Sequence, residues 1–352
     1  MDRDDTPALV ERVRAATAAR SPLRIVGGDT KGFYGRPVAG ERLELRDHRG
    51  ILRHDPAELV LTARGGTPLA EVEAQLASCG QRLPFEPPHF GPDATLGGTV
   101  ACGLAGPSRA WAGPLRDFVL GVRVLTGDGR VLRFGGEVMK NVAGYDVARL
   151  LSGSLGVLGV LLDVSLKVLP LPAAQRTLAF EMHEAEALAR LADLSRGALP
   201  LSAGSWADGR LYLRFDGSDT TLDEVSTRLG GEVVADGNGF WHSLREQSHA
   251  FFTGSRPLWR CIVPPLAPPL ALRGPLLIEW NGLQRWYRSE PGLSAFDAAA
   301  AVGGHATLFR HGAGDERRFA TLEEPVMRLH RALKREFDPA GILNPGRMYA
   351  DL

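Results

Sequence analysis

LRIVGGDTKGFYG, residues 23–35, reads as the end of a strand running into a sharp turn. Leu23 to Val26 has the apolar, β-branched character of a strand. Gly27 and Gly28 then let the backbone reverse, and Thr30, Lys31 and Gly32 follow at once. Successive main-chain amides in such a turn converge on one anion, each charge-assisted hydrogen bond contributing about 1.5–3 kcal/mol. The stretch suits a pyrophosphate cradle, with an ordinary Gly-rich surface turn as the plain alternative. Neither familiar phosphate loop applies: the Gly-Lys pair of G-x-x-x-x-G-K-[ST] is missing here, and so is G-x-G-x-x-G between strand and helix.

The rest of the chain bounds what such a cradle serves. Its 352 residues suit two domains with substantial cores. Lysine plus arginine (41) equals aspartate plus glutamate (41), so no nucleic-acid footprint is expected. Cys79, Cys102 and Cys261 stand singly, with no C-x-x-C pair, which argues against a disulfide framework or a protein-ligated iron-sulfur cluster. MDRDDTPALVERVRAA at the N-terminus is charged and helical in pattern, without the apolar core of a secretory signal. The apolar run Leu155 to Leu162 is too short to span a bilayer. A cytoplasmic protein is expected, peripheral at the inner membrane only through a partner.

In chain order, Ala8 to Ala19 reads as a helix broken by Ser21-Pro22, followed by the cradle. Strands over 42–45 and 58–62 and a helix over 66–77 come next. The prolines of QRLPFEPP, residues 81–88, impose extended chain. GPDATLGGTVACGLAGPSRAWAG, residues 91–113, holds too much glycine for a stable helix, at about 1 kcal/mol per glycine, and reads as a segment lying close against the same ligand or as a buried small-residue loop. Strands over 118–125 and 130–134 flank an Asp128-Gly129 hairpin turn. A short helix (146–151), a turn (153–156) and a strand (158–168) precede Pro170 to Pro172, a domain boundary. Beyond it the pattern is strand 177–182, helix 184–194, strands 201–206 and 210–215, helix 221–229 and strand 231–235. That β-α-β-β-α-β order is ferredoxin-like. A helix over 241–252, strands over 258–263, 276–280, 284–288 and 305–310, and a closing helix over 323–337 complete the pattern.

Seven segments carry a family resemblance: VGGDTKGFYG (26–35), GQRLPFEPPHFG (80–91), GPDATLGGTVACGLAGPSRAWAGPLRDFVLG (91–121), RFGGEVMKNVAGYD (133–146), GSLGVLGV (153–160), GGHATLFR (303–310) and FDPAGILNPGRM (337–348). With them the chain resembles the FAD-binding subunits of bacterial glycolate oxidases, in the vanillyl-alcohol oxidase-like, PCMH-type flavoprotein superfamily. The resemblance implies an α+β fold: a two-lobed PCMH-type FAD-binding domain over residues 1–172, a ferredoxin-like α+β cap over 173–322, and a C-terminal helix and return to the flavin over 323–352. By position, Gly27, Gly28, Asp29 and Thr30 would bind the pyrophosphate. Thr95, Gly97, Gly98 and Gly103 would line the diphosphate and ribose, with Gly113 close to the ring. Gly153, Ser154, Gly156, Gly159 and Val160 would hold the nucleotide end, Asn344 would approach from the C-terminal return, and Lys140 would support FAD.

Two departures from the family pattern matter. Many relatives attach the flavin to a histidine that follows the paired glycines; Asp29 stands there, so non-covalent FAD is expected. The catalytic 2-hydroxy-acid dehydrogenases of the superfamily carry G-H-x-G-D-G-N-x-H, whereas this chain reads GGHATLFRHGAGD at residues 303–315, and no metal site is expected. For catalysis the candidates are Arg245 and His249, one helical turn apart, and Arg260 and Arg310 beside aromatic residues. Each arginine equally suits a salt bridge, as does Arg285, and His305 reads as a packed histidine. Two functions remain open. The chain itself oxidises glycolate or a similar small 2-hydroxy acid, or it carries electrons or supports assembly while a sister FAD-binding catalytic subunit oxidises. Both imply a separate iron-sulfur subunit.

Overall fold

The computed structural model describes residues 2–136, 145–288, 294–311 and 317–352; Lys140 lies outside them. Helix α1 (Thr6–Ala19) buries Leu9 and Val13, and Arg20 then turns into the left-handed region so that the chain enters β1 (Leu23–Val26). Strand β2 (Glu41–Glu44) pairs with it in parallel, making a small lobe. There follow β3 (Ile51–Asp55), β4 (Val60–Arg64), α2 (Leu69–Ala77), β5 (Gln81–Arg82), α3 (Leu96–Cys102), α4 (Arg109–Ala112), β6 (Val119–Leu125), β7 (Val131–Gly135), α5 (Val147–Leu150), β8 (Val160–Lys167) and β9 (Leu169–Pro170). The order β3-β4-β8-β6-β7 forms a five-stranded antiparallel sheet, the second lobe. Its core joins Leu61, Val122, Val164 and Leu166 of the strands to Leu69, Val72 and Leu76 of α2 and Leu96 and Val100 of α3.

The second half begins with β10 (Ala174–Glu181), α6 (Glu184–Leu194), β11 (Leu201–Ala207), β12 (Arg210–Gly217), α7 (Asp219–Leu229) and β13 (Glu232–Val233). Their order in space, β13-β10-β12-β11, is ferredoxin-like, with Ala187, Leu191, Leu222 and Val225 of the helices packed on Leu178, Leu211, Leu213 and Phe215. After α8 (Gly237–Arg245), strands β14 (Leu258–Ile262), β15 (Leu276–Glu279), β16 (Gln284–Arg288) and, past α9 (Ala295–Ala300), β17 (His305–Arg310) extend the same sheet to eight strands in the order β15-β16-β14-β17. Helix α10 (Glu324–Phe337) leads the chain back: Leu343 bridges to Leu23 and packs with Ile342 under α1.

Several expectations need correction. A helix, α3, does form inside the Gly-rich stretch 91–113; Thr95 caps it, its Oγ1 accepting from the Gly98 amide at 3.3 Å, and the surrounding core holds it. Strand β3 went unrecognised because its charged residues Arg53, His54 and Asp55 hide the alternation. The second-half helix expected over 241–252 starts at Gly237 and stops at Arg245, where Gln247 takes a positive φ of 55° and a separate 3-10 turn follows at Ala250–Phe252.

The proline-rich segment 82–90 is the spine on which the two halves meet. Arg82 pairs with Asp216 at 3.0 Å and Glu86 with the buried Arg214 at 2.8 Å. The Glu246 carboxylate accepts from the amides of His89 and Phe90, and Trp280 Nε1 donates to the Gly106 carbonyl at 2.8 Å. Charge-assisted and buried bonds of this kind fix the cap's angle over the first domain.

Candidate cofactor cleft and cap cavity

Between the small lobe and the five-stranded lobe runs a cleft walled by Ile25 to Gly32, Gly65, Thr95, Gly97, Gly98, Cys102, Leu155, Gly156, Gly159, Asn344 and Arg347. Its glycines are there because neighbouring segments occupy the space a Cβ would need, backbone at Gly28 and a side chain at Gly27. A Cβ on Gly28 would lie 1.5 Å from the Asp93 carbonyl oxygen, and one on Gly27 would lie 2.2 Å from Thr95 Oγ1. The main-chain amides of Gly28, Asp29 and Thr30 find no acceptor among the described residues, as a loop built to hold an anion requires. Three cations, Arg24, Lys31 and Arg347, line the cleft against one carboxylate, Asp29. The excess of two matches a diphosphate. Lys31 is buried, which pushes its ammonium below the usual lysine range, and its Nζ donates to the His89 carbonyl at 3.2 Å. A dinucleotide with a central pyrophosphate fits these residues.

Of the residues expected to hold the cofactor, Gly27, Gly28, Asp29, Thr30, Thr95, Gly97, Gly98, Gly156, Gly159 and Asn344 line this cleft. Asp29 does so through its main chain: its φ is 57°, and its carboxylate turns to Arg24, 2.7 Å away, because a carboxylate cannot donate to a phosphate. Asn344 is buried and fully engaged, accepting from the Ile25 amide at 2.8 Å and donating to the Leu155 carbonyl at 2.7 Å. It acts as a clasp between lobes. Gly103 and Gly153 stand behind the cleft wall, back to back; a Cβ on Gly103 would meet the Gly153 Cα at 3.0 Å. Ser154 closes a turn onto the Leu151 carbonyl, Val160 is in the core under α1, and Gly113 ends α4 near Asp117 and Phe118. Sequence reasoning missed Arg24, Cys102, Leu155 and Arg347, which lie inside the quoted segments but are not among the glycine and hydroxyl positions that signal a phosphate loop.

Where the cap closes on the first domain there is a cavity of about 20 Å3, on the order of what one ordered water needs, lined by Phe90, Leu104, Arg245, Arg260, Trp286 and Phe309 among others. Arg245 donates to Glu246 at 2.9 Å and Arg260 to Gln284 at 2.6 Å. Arg310 lies over the rings of Phe33 and Phe90, 3.9 and 4.8 Å from their centroids, and donates to Gln247. His249 is not beside Arg245 on one helical face as the spacing suggested. It caps the following 3-10 turn, its Nδ1 accepting from the Phe251 amide, and it takes no part in lining the cavity. Arg285, fully buried, is spent on the carbonyls of Ala267, Pro268 and Gly282. Among the described residues no three His, Cys, Asp or Glu side chains gather as a metal site.

Residues 4–135 match the family model of an FAD binding domain, and residues 279–348 that of the C-terminal domain of FAD linked oxidases. Over 350 residues, 99% of either chain, the sequence is 49% identical to glycolate oxidase subunit GlcE of Escherichia coli strain K12. The chain belongs to the GlcE family of glycolate oxidase subunits. FAD is its cofactor. The chain is also 32% identical over 143 residues to glycolate oxidase subunit GlcD of Bacillus subtilis strain 168, covering 40% of the former and 30% of the latter. Its fold matches that of an alkyldihydroxyacetonephosphate synthase with a TM-score of 0.67 at 16% identity, over 96% of this chain and 75% of the synthase. No helix among the described residues is long and apolar enough to cross a membrane. Because Asp29 is turned to Arg24 and is no nucleophile toward the flavin, acid precipitation is expected to leave the yellow colour in the supernatant, read by absorbance; colour in the pellet would mean a covalent link.

Proposed function

We propose that this chain carries electrons on its FAD within a glycolate oxidase complex, while a sister flavoprotein related to GlcD oxidises a small 2-hydroxy acid such as glycolate. The observation that carries this reading is the lining of the cap cavity, whose candidate arginines already have partners within the chain. Oxidising a 2-hydroxy acid requires a cation for its carboxylate and a base for its hydroxyl proton, because hydride leaves only as negative charge gathers on oxygen. The cavity of about 20 Å3 offers space on the scale of a water, and Arg245 and Arg260 are already engaged by Glu246 and Gln284. His249, the candidate base, serves as a cap elsewhere. The chain's three cysteines fall short of the four thiolates that hold an iron-sulfur cluster, so an iron-sulfur subunit would be the next carrier in line.

FAD supplies a two-electron centre that a neighbouring centre fills and drains. The chain's own residues hold it: the amides of Gly28 to Thr30 and the cations Lys31 and Arg347 at the pyrophosphate, Thr95 and Gly97 along the wall, and Asn344 as the clasp between lobes. The test is anaerobic addition of glycolate or D-lactate to the purified FAD-loaded subunit. The flavin band is expected to persist, and to bleach at a catalytic rate only after a GlcD-type subunit is added. Bleaching of the isolated subunit at that rate would return the oxidation to this chain.

A further inference from the structure

One titratable group of the cap is left over by everything above. Glu279 ends β15 and is only 4% exposed. Its Oε2 accepts from Trp286 Nε1 at 2.6 Å and from Gln284 Nε2 at 2.9 Å, both neutral donors. Among the described residues the carboxylate forms no ion pair; Arg260, the cation nearest in influence, bonds to the other end of Gln284 at 2.6 Å. A carboxyl kept for architecture alone is better served by a direct, bidentate cation. This one instead faces the water-sized cavity, which lies against Leu104 to Gly106, the residues that run on directly from Ala101 and Cys102 of the FAD cleft. Trp286 and Leu155 belong to one buried cluster, and Leu155 also lines that cleft. Glu279 thus borders, through the Trp286 ring and Leu104, the buried cluster whose Leu155 lines the FAD cleft, a setting in which charges interact more strongly than in solvent.

We propose that Glu279 is a redox-linked proton acceptor, binding a proton when the FAD of this chain is reduced and releasing it when the FAD is reoxidised. Reduction places two electrons and one proton on the flavin and leaves it with one more negative charge than before. The neighbouring carboxylate then forms an O–H bond with a proton from solvent, which offsets that charge. Both electrons come from the reductant, both protons from water, and reoxidation reverses each. The inference needs only bound FAD and holds whichever subunit oxidises the substrate.

The surroundings fix where the effect falls on the pH scale. Burial raises the Glu279 carboxyl from the ordinary carboxylate range to about 7; the bonds from Trp286 and Gln284 and the Arg260 charge act against this, and Glu86 adds to it. Glu86 is itself paired with Arg214 of β12, Arg245 of α8 with Glu246, and Arg109 of α4 lies over the Trp280 ring. Tyr34 of the cradle loop faces Arg260, and burial pushes its phenol up, so it stays neutral. Below pH 7 Glu279 already holds its proton in the oxidised state. Above pH 7 it is an anion free to take one.

The experiment is spectroelectrochemical titration of the FAD-loaded chain from pH 5.5 to 8.5. One proton per two electrons changes the reduction equilibrium about tenfold per pH unit, and two protons about a hundredfold. On the alkaline side, from pH 7.5 to 8.5, where reduced flavin itself keeps one proton, the wild-type chain is expected to show a dependence steeper than tenfold, approaching a hundredfold, and Glu279→Gln a tenfold one. A tenfold dependence in the wild type, or an unchanged steep one in Glu279→Gln, overturns the proposal. Should Glu279→Gln fail to hold FAD, Trp286→Phe decides. Loss of one donor to the carboxylate is expected to move the onset of the steep region to higher pH, and an unmoved onset overturns the proposal. Addition of substrate plays no part, so the result is independent of which subunit oxidises glycolate.

Discussion

Protein carrying Gly28→Ala is expected to purify without flavin. The Cβ it adds would stand 1.5 Å from the Asp93 carbonyl oxygen, well inside van der Waals contact, and that neighbour is backbone rather than a side chain able to swing aside. Segments 27–30 and 93–98 must separate, which spreads the amides that converge on the pyrophosphate. Forced overpacking of this kind costs about 3 kcal/mol or more, equivalent to at least about a hundredfold in FAD affinity. The readout is the flavin-to-protein absorbance ratio after gel filtration, with affinity from fluorescence quenching on adding FAD. Gly197→Ala is the control, since its Cβ would come no closer than 3.4 Å to any neighbour and its backbone needs no positive φ. A Gly28→Ala protein that binds FAD like the wild type would remove the loop from the cofactor site.

The second large effect is expected at Lys334, far from any motif. Its buried Nζ donates to the Val157 carbonyl at 2.8 Å and the Leu343 carbonyl at 2.7 Å, and pairs at 2.7 Å with Asp338. Asp338, also buried, accepts from the amides of Ile342 and Leu343. Burial lowers the lysine below its usual range while the Asp338 charge opposes that. Lys334→Met leaves a buried carboxylate unpaired and two carbonyls without a donor, a loss of about 3–5 kcal/mol. Urea unfolding is the measurement. Combined with Asp338→Asn, the two losses should not add, because the second change removes the stranded charge.

Much of this molecule was legible in the residues, and for definite reasons. Helix α6 over 184–194 was readable because its periodicity is clean, and the β-α-β-β-α-β order because each element buries one face. The glycine and amide half of the cleft was readable because a loop that must lie against backbone has few alternatives to glycine. What could not be read is what depends on neighbours far along the chain. Asp29 keeps its place in the cleft by its main chain, but that its carboxylate is taken by Arg24 could not be read; His249 looked like a partner of Arg245 until Gln247 broke the helix between them. Lys334 carries no signal at all, since only the fold brings Val157 and Leu343 to it.

The C-terminal return sets an order of events for the living chain. Strand β1 is made early, yet its Ile25 amide is satisfied by Asn344, 319 residues further on, and Leu23 is bridged by Leu343. The flavin lobe is therefore fastened only once residues 343 and 344 have been made and have folded back onto it. A molecule clipped by a protease ahead of residue 338 would keep every phosphate-facing amide and still lose the buckle that holds the lobes at the right separation.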